Sequence, residues 1–142
     1  MGRDEGEPPF HVVAVGRVES TLQARAEAPR QADEGAPSAW LVFDPAYADA
    51  VRDVAVGDDL MLLTWLDRAE RDVLRTRPRD DPARAPIGVF STRSPDRPNP
   101  IGLHRLRVTG VDGLRLEVDH LEALDGTPII DVKPVLRAAE ER

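Results

Sequence analysis

"LHRLRVTGVDGLRLEVD", residues 103–119, decides how this chain folds. Leu106 and Val108 alternate with Arg105, Arg107 and Thr109. Beyond a turn, Leu114, Leu116 and Val118 alternate with Arg115, Glu117 and Asp119. A period of two places the aliphatic residues on one face of an extended strand and the charged residues on the other. The Asp112-Gly113 step between the two runs is a strong signal for a tight turn, because glycine tolerates the positive φ such turns require. The spacing therefore predicts an antiparallel hairpin with one buried and one wet face.

Working outward, a second Asp-Gly at 125–126 turns into "TPIIDVKPVL" (127–136), a further strand. Upstream, "VGDDLMLLTWL" (56–66) has a turn signal and then a continuous apolar run that suits a buried strand. "IGVFST" (87–92), "AWLVFD" (39–44) and the β-branched "FHVVAVGRV" (10–18) read as strands as well. "PAYADAVRDV" (45–54) begins with proline in a helix-opening position and spaces Tyr47, Ala50, Val51 and Val54 helically, so a short helix is predicted. Residues 19–38 form a long loop, and residues 67–86 a polar one with four arginines before Pro78 and room for one helical turn. About six or seven short strands and one short helix imply an all-β sandwich or barrel; the helix signals are too few and too short for βαβ crossovers.

A chain of 142 residues is most simply one domain with a real core. Residues 10–136 are expected to be that domain, between a disordered leader (1–9) and a short tail (137–142). Without cysteine, disulfides and thiolate metal sites are excluded. No run reaches the ~20 apolar residues of a membrane helix, the N-terminus is acidic rather than signal-like, and the expected compartment is the cytoplasm. The formal net charge is −7, which argues against a global nucleic-acid footprint but leaves a local basic patch open. Arg68, Arg71, Arg75, Arg77, Arg79 and Arg84 are such a patch, or else a solvated loop paired with Glu70, Asp72, Asp80 and Asp81. His11, His104 and His120 are isolated; His104 and His120 sit next to alternating strands, and each of these two reads as a structural or surface residue rather than a metal ligand. No metal site is expected.

"STRSPDRPNP" (91–100) is the other informative stretch. Pro95, Pro98 and Pro100 fix their own φ and push Ser94, Arg97 and Asn99 toward extended geometry. A loop so stiffened loses less entropy on binding. Arg93 and Arg97 add guanidinium forks suited to carboxylate or phosphate. The competing reading is a rigid turn whose arginines pair with neighbours such as Asp96.

"GVFSTRSPDRPNPIGL" (88–103) resembles the signature of the TrmO (TsaA-like) family, and "DGTPIIDVKP" (125–134) and "APRQAD" (28–33) resemble two further blocks of it in the same order. The resemblance implies a small closed or partly open β-barrel that binds S-adenosyl-L-methionine and forms a homodimer, with cofactor sites near the subunit interface. It implies methyl transfer to N6 of threonylcarbamoyl-adenosine 37 in tRNA. The cofactor-holding positions of the family fall on Ala32, Asp33, Asp67, Arg68, Arg93, Leu103, Asp125, Gly126, Thr127 and Pro128. Arg93 would meet the cofactor carboxylate, Asp125 or Asp33 its ammonium, and Gly126 would allow close backbone approach. Alone, "DGTP" is also an ordinary tight turn. No base is assigned. Asp131 and Lys133 are candidates for orienting the acceptor; a buried, purely structural pair is the alternative, their i, i+2 spacing placing both on one face.

The chain departs from that pattern at Val135, where the family has a tyrosine, at Asp96, often a histidine, and in "DLMLLTWLDRAERD" (59–72), where the family is aromatic-rich. It is also expected to lack the C-terminal extension of the longer members. Two alternatives therefore stand beside a tRNA substrate: a small-molecule acceptor, and a non-catalytic dimeric module that binds the cofactor.

Overall fold

In the computed structural model the described residues are 9–25, 35–78 and 81–136. Eight strands follow in order: β1 (Gly16–Glu19), β2 (Ala39–Phe43), β3 (Asp59–Trp65), β4 (Arg75–Thr76), β5 (Ile87–Gly88), β6 (Ile101–Asp112), β7 (Arg115–Val118) and β8 (Pro128–Pro134). Six of them close into a barrel in the order β1-β2-β7-β6-β3-β8, with β8 pairing back onto β1 at Gly16↔Ile129. All its ladders are antiparallel. Closure gives every barrel strand a neighbour on each side, although the ladders are partial.

The hairpin around Gly113 forms as its period demands. Val108 faces Val118 and Val111 faces Leu116 across the β6–β7 ladder. The register shifts between Val108 and Gly110, so Thr109 is a bulge. Bulges bend a strand, and this one lets the twelve residues of β6 serve two neighbours: its first half pairs with β3 and its second with β7. Inward residues of all six strands meet in one core, including Val18, Leu41, Leu62, Leu106, Val118 and Ile129, with Leu121 from the β7–β8 connection.

Four sequence expectations shift. The first strand is confined to Gly16–Glu19; Phe10, Val12 and Val13 are exposed on an extended lead-in. The helix over 45–54 splits into a 3-10 turn, Pro45–Tyr47, capped by the Asp44 carboxylate on Ala46 N at 2.9 Å, and a short α1, Ala48–Val51. The strand over 87–92 stops at Gly88, and Val89–Ser91 is a 3-10 turn. Its cause is local: Val89 O accepts from Thr92 N (3.0 Å), Thr92 Oγ1 (2.9 Å) and Arg97 Nη2 (2.6 Å), which pulls the chain out of the ladder. The 67–86 loop contains β4, paired with β5, where one helical turn had room. The leader up to residue 8, the tail and the "APRQAD" segment lie outside the described residues.

Candidate functional site

The proline-rich loop owes its shape to Arg97. Its guanidinium donates from Nε to Ser94 O (2.9 Å) and from Nη2 to Val89 O (2.6 Å) and Thr92 O (2.5 Å). Its own amide donates to Glu70 O at 3.0 Å. Charge-assisted bonds to carbonyls are among the stronger hydrogen bonds, so this arginine clamps the loop from within through Nε and Nη2. Arg71 clamps the far end, donating to Pro98 O (2.7 Å) and Asn99 Oδ1 (3.1 Å) with its charge 5.1 Å from the Trp65 ring centroid. Asp96 pairs with neither loop arginine. It accepts from Glu70 N (2.9 Å) and forms an ion pair with Arg25 at 3.2 Å. Arg93 is exposed and has no hydrogen-bond or ion-pair partner among the described residues.

One short segment, residues 20–25 beyond β1, gathers the loops. Ser20 N donates to Asp125 Oδ1 (3.0 Å) and Asp125 N to Leu22 O (2.7 Å). Arg68 Nη1 donates to Gln23 O at 2.7 Å, and Arg25 reaches Asp96. The Asp125–Pro128 turn, the Asp67–Arg68 turn after β3 and the proline-rich loop are thereby fastened around one mouth of the barrel. Gly126 sits in the turn at φ +83°, with nothing within 4 Å of the position a Cβ would take. Thr127 is buried, and its backbone oxygen accepts from Val18 N at 2.9 Å.

The other predicted residues lie elsewhere. Leu103 points outward from β6, 41% exposed, paired with Leu63 of β3, which in turn pairs with Asp131 of β8. Asp131 and Lys133 do form an ion pair, at 3.3 Å, but their side chains are 50% and 65% exposed, so the pair is not buried. The bulge opposite Leu63/Thr64 explains this: it turns Asp131 and Lys133 onto the outer wall while Val132 packs on the core. Ala32 and Asp33 lie outside the described residues. Arg107, also on the outer wall, has its pKa raised above the ordinary guanidinium value by its hydrogen bond to Asp59 and by that carboxylate's charge.

A buried chain of polar groups lies under the mouth. Thr64 Oγ1 is 2.8 Å from His104 Nε2, and His104 Nδ1 is 2.6 Å from Glu122 Oε1. Thr64 and His104 are buried, and Glu122 Oε2 is buried without a hydrogen-bond partner among the described residues. Gly102 makes the room, since a Cβ there would collide with Thr64 Oγ1 and His104 Nε2. The alternation that sets Leu106 and Val108 inward sets His104 inward too; that was the signal for its burial, whereas nothing local names Thr64 or Glu122 as partners. Among the described residues no group of three acidic or histidine side chains could hold a metal ion.

The family model for the tRNA-methyltransferase O N-terminal domain matches residues 17–141. This chain belongs to that family. An S-adenosyl-L-methionine-binding protein of Archaeoglobus fulgidus is 42% identical over 120 residues, which cover 84% of each chain. A probable S-adenosyl-L-methionine-binding protein of Methanothermobacter thermautotrophicus is 42% identical over 120 residues, 84% of this chain and 85% of that one. A second Archaeoglobus fulgidus relative is 40% identical over 120 residues, and there the match spans only 32% of its length. The crystal structure of TrmO from Pseudomonas aeruginosa superposes with a TM-score of 0.71 at 26% identity, covering 95% of this chain and 62% of that one. The TrmO-type fold is thus present from β1 through β8, while this chain spans less than two thirds of the solved TrmO. No helix among the described residues is long and apolar enough to cross a membrane.

Proposed function

We propose that this protein is an S-adenosyl-L-methionine-dependent methyltransferase that holds its cofactor at the mouth described above. The observation that carries the reading is the fastening of three separate loops by residues 20–25, within a chain that belongs to the TrmO family. The residues present fit the cofactor. Arg93 offers an unpartnered guanidinium for a carboxylate. Asp125 spends Oδ1 on Ser20 N and keeps Oδ2 for an ammonium. The open space over Gly126 lets a ligand approach the backbone. Ala32 and Asp33 complete the set by family position, as do Asp67, Arg68, Thr127 and Pro128; Leu103, the remaining family position, is on the outer wall rather than at the mouth.

When bound, the cofactor supplies a methyl group activated by a sulfonium. The chain's own part is positioning: Arg97 and Arg71 freeze the loop that carries Arg93, so donor and acceptor meet in one geometry. The acceptor in this reading is N6 of threonylcarbamoyl-adenosine 37 in tRNA, the substrate the family resemblance implies. Asp131 and Lys133, on the outer wall opposite Leu63 and Met61 of β3, would orient it. A homodimer in the cytoplasm completes the reading, with Ile101 and Leu103, 44% and 41% exposed, on the wall a partner would cover.

Calorimetry with S-adenosylmethionine and transfer of labelled methyl to tRNA from cells lacking the modification test the proposal. Label in tRNA supports it. Label only in a small-molecule fraction rejects the tRNA acceptor, and binding without transfer rejects catalysis.

A further inference from the structure

The segment from 67 to 99 is an island of opposite charge. It carries eight arginines against six acidic residues, while the rest of the chain carries eleven basic against twenty acidic residues. On that island sits Phe90, 86% exposed, with Leu74, 67% exposed, beside it: Val89 N donates to Leu74 O at 3.0 Å across the end of the β4–β5 ladder. The backbone under Phe90 is held by the Arg97 bonds to Val89 O and Thr92 O, so the ring is presented by a clamped turn rather than a loose loop. Arg75 directly follows Leu74, and Arg77 lies two residues beyond Arg75, just past the end of β4. Each spends one donor nitrogen on a loop carbonyl, Arg75 Nη2 on Pro86 O (3.4 Å) and Arg77 Nε on Arg84 O (2.9 Å). Their remaining guanidinium donors have no partner among the described residues.

We propose that Phe90 and Leu74, with Arg75 and Arg77, form a platform for single-stranded RNA, an unpaired base stacking on Phe90 while the guanidiniums meet the adjoining phosphates. The inference rests on the methyltransferase reading above and assigns its acceptor a docking point. Two observations favour a nucleotide over a protein partner. The apolar area is small: two side chains offer on the order of 300 Å², against the ~800 Å² each partner contributes to a standard interface. One aromatic ring matches one base, and guanidinium forks match phosphate. A sequence-tolerant stack beside phosphate contacts is the ordinary chemistry of single-strand binding.

Fluorescence anisotropy with a labelled eight-nucleotide single-stranded RNA centred on adenosine tests this on the full chain. Phe90→Ala is expected to weaken the Kd roughly 5- to 150-fold, the ~1–3 kcal/mol of one stacked base. Phe90→Tyr keeps the π-face and should stay within about twofold, whereas Phe90→Leu, apolar without a π-face, should resemble Phe90→Ala. Each of Arg75→Gln and Arg77→Gln should reduce the slope of log K against log salt by ~0.7. Calorimetry with S-adenosylmethionine and size-exclusion mass run on the same variants. No RNA binding by the parent chain, or equal affinity for Phe90→Ala, overturns the platform. So does a change of oligomeric mass or of cofactor affinity in Phe90→Ala, which would assign Phe90 to a protein interface or to the cofactor pocket. RNA binding that depends on Phe90 in a chain that does not bind the cofactor supports the platform and overturns the methyltransferase reading instead.

Discussion

Replacing Arg97 by alanine removes the clamp from the proline-rich loop while leaving its prolines in place. The guanidinium serves three carbonyls at 2.9, 2.6 and 2.5 Å. A hydrogen bond to a charged group is worth ~1.5–3 kcal/mol, so three independent ones would total roughly 4.5–9 kcal/mol. They share one side chain, and the carbonyls are only partly buried, so water takes over some of the loss; about 2–4 kcal/mol is the expected cost. The loop is a surface element, so the cost falls first on local order. Two amides report it: Thr92 N, bonded to Val89 O at 3.0 Å, and Arg97 N, bonded to Glu70 O at 3.0 Å. In Arg97→Ala, hydrogen exchange at both should accelerate by roughly 30- to 1000-fold, the range that corresponds to 2–4 kcal/mol. The cooperative urea transition should move less. Arg97→Lys should recover only part of the protection, because a point-like ammonium cannot reproduce a planar fork. Unaltered exchange at Thr92 and Arg97 in the alanine variant would refute the claim that a side chain, rather than the prolines, holds this loop.

Arg93→Ala should weaken S-adenosylmethionine binding by ~1–3 kcal/mol with no loss of thermal stability, since its guanidinium has no partner to lose among the described residues; equal calorimetric affinity rejects its assignment. His104→Leu should cost about 3–5 kcal/mol in urea unfolding by stranding Thr64 Oγ1 and Glu122 Oε1 in the interior, and adding Glu122→Leu should recover part of it. A single-mutant loss under ~1 kcal/mol, or strict additivity, would mean the polar chain is not coupled. Gly126→Ala should cost about 1–2 kcal/mol through its φ of +83° alone, as the Cβ meets nothing within 4 Å; a neutral Tm counts against that backbone conformation. Cofactor at one hundred times its Kd should add ~2.7 kcal/mol and raise Tm by roughly 8–13 °C, and a flat melting curve would count against binding.

The barrel could be read from the sequence because its signals are local. The alternation on either side of Asp112-Gly113 is enforced by the strand's own period, and burial of one face then follows for β6, β7 and their neighbours. The stiffness of the proline-rich loop and the turn at Asp125-Gly126 were legible for the same reason, since proline and glycine act on their own φ; that these blocks belong to a cofactor site came from the family resemblance and not from φ. Tertiary structure alone decided which charges remain free. Arg93 and Arg97 are four residues apart and alike in sequence, yet one is exposed without a partner among the described residues and the other donates to three carbonyls, because the 3-10 turn at Val89–Ser91 folds back over Arg97. Asp96 looked like a partner for its neighbours and instead reaches Arg25, 71 positions away. Asp131 and Lys133 kept the shared face their spacing required, but a bulge opposite β3 set that face outward. Thr64, His104 and Glu122 meet only when β3, β6 and the β7–β8 connection close around one core. Strand period is a property of consecutive residues; the pairing of a charge depends on where distant backbone delivers its carbonyls and carboxylates, and no local pattern records that.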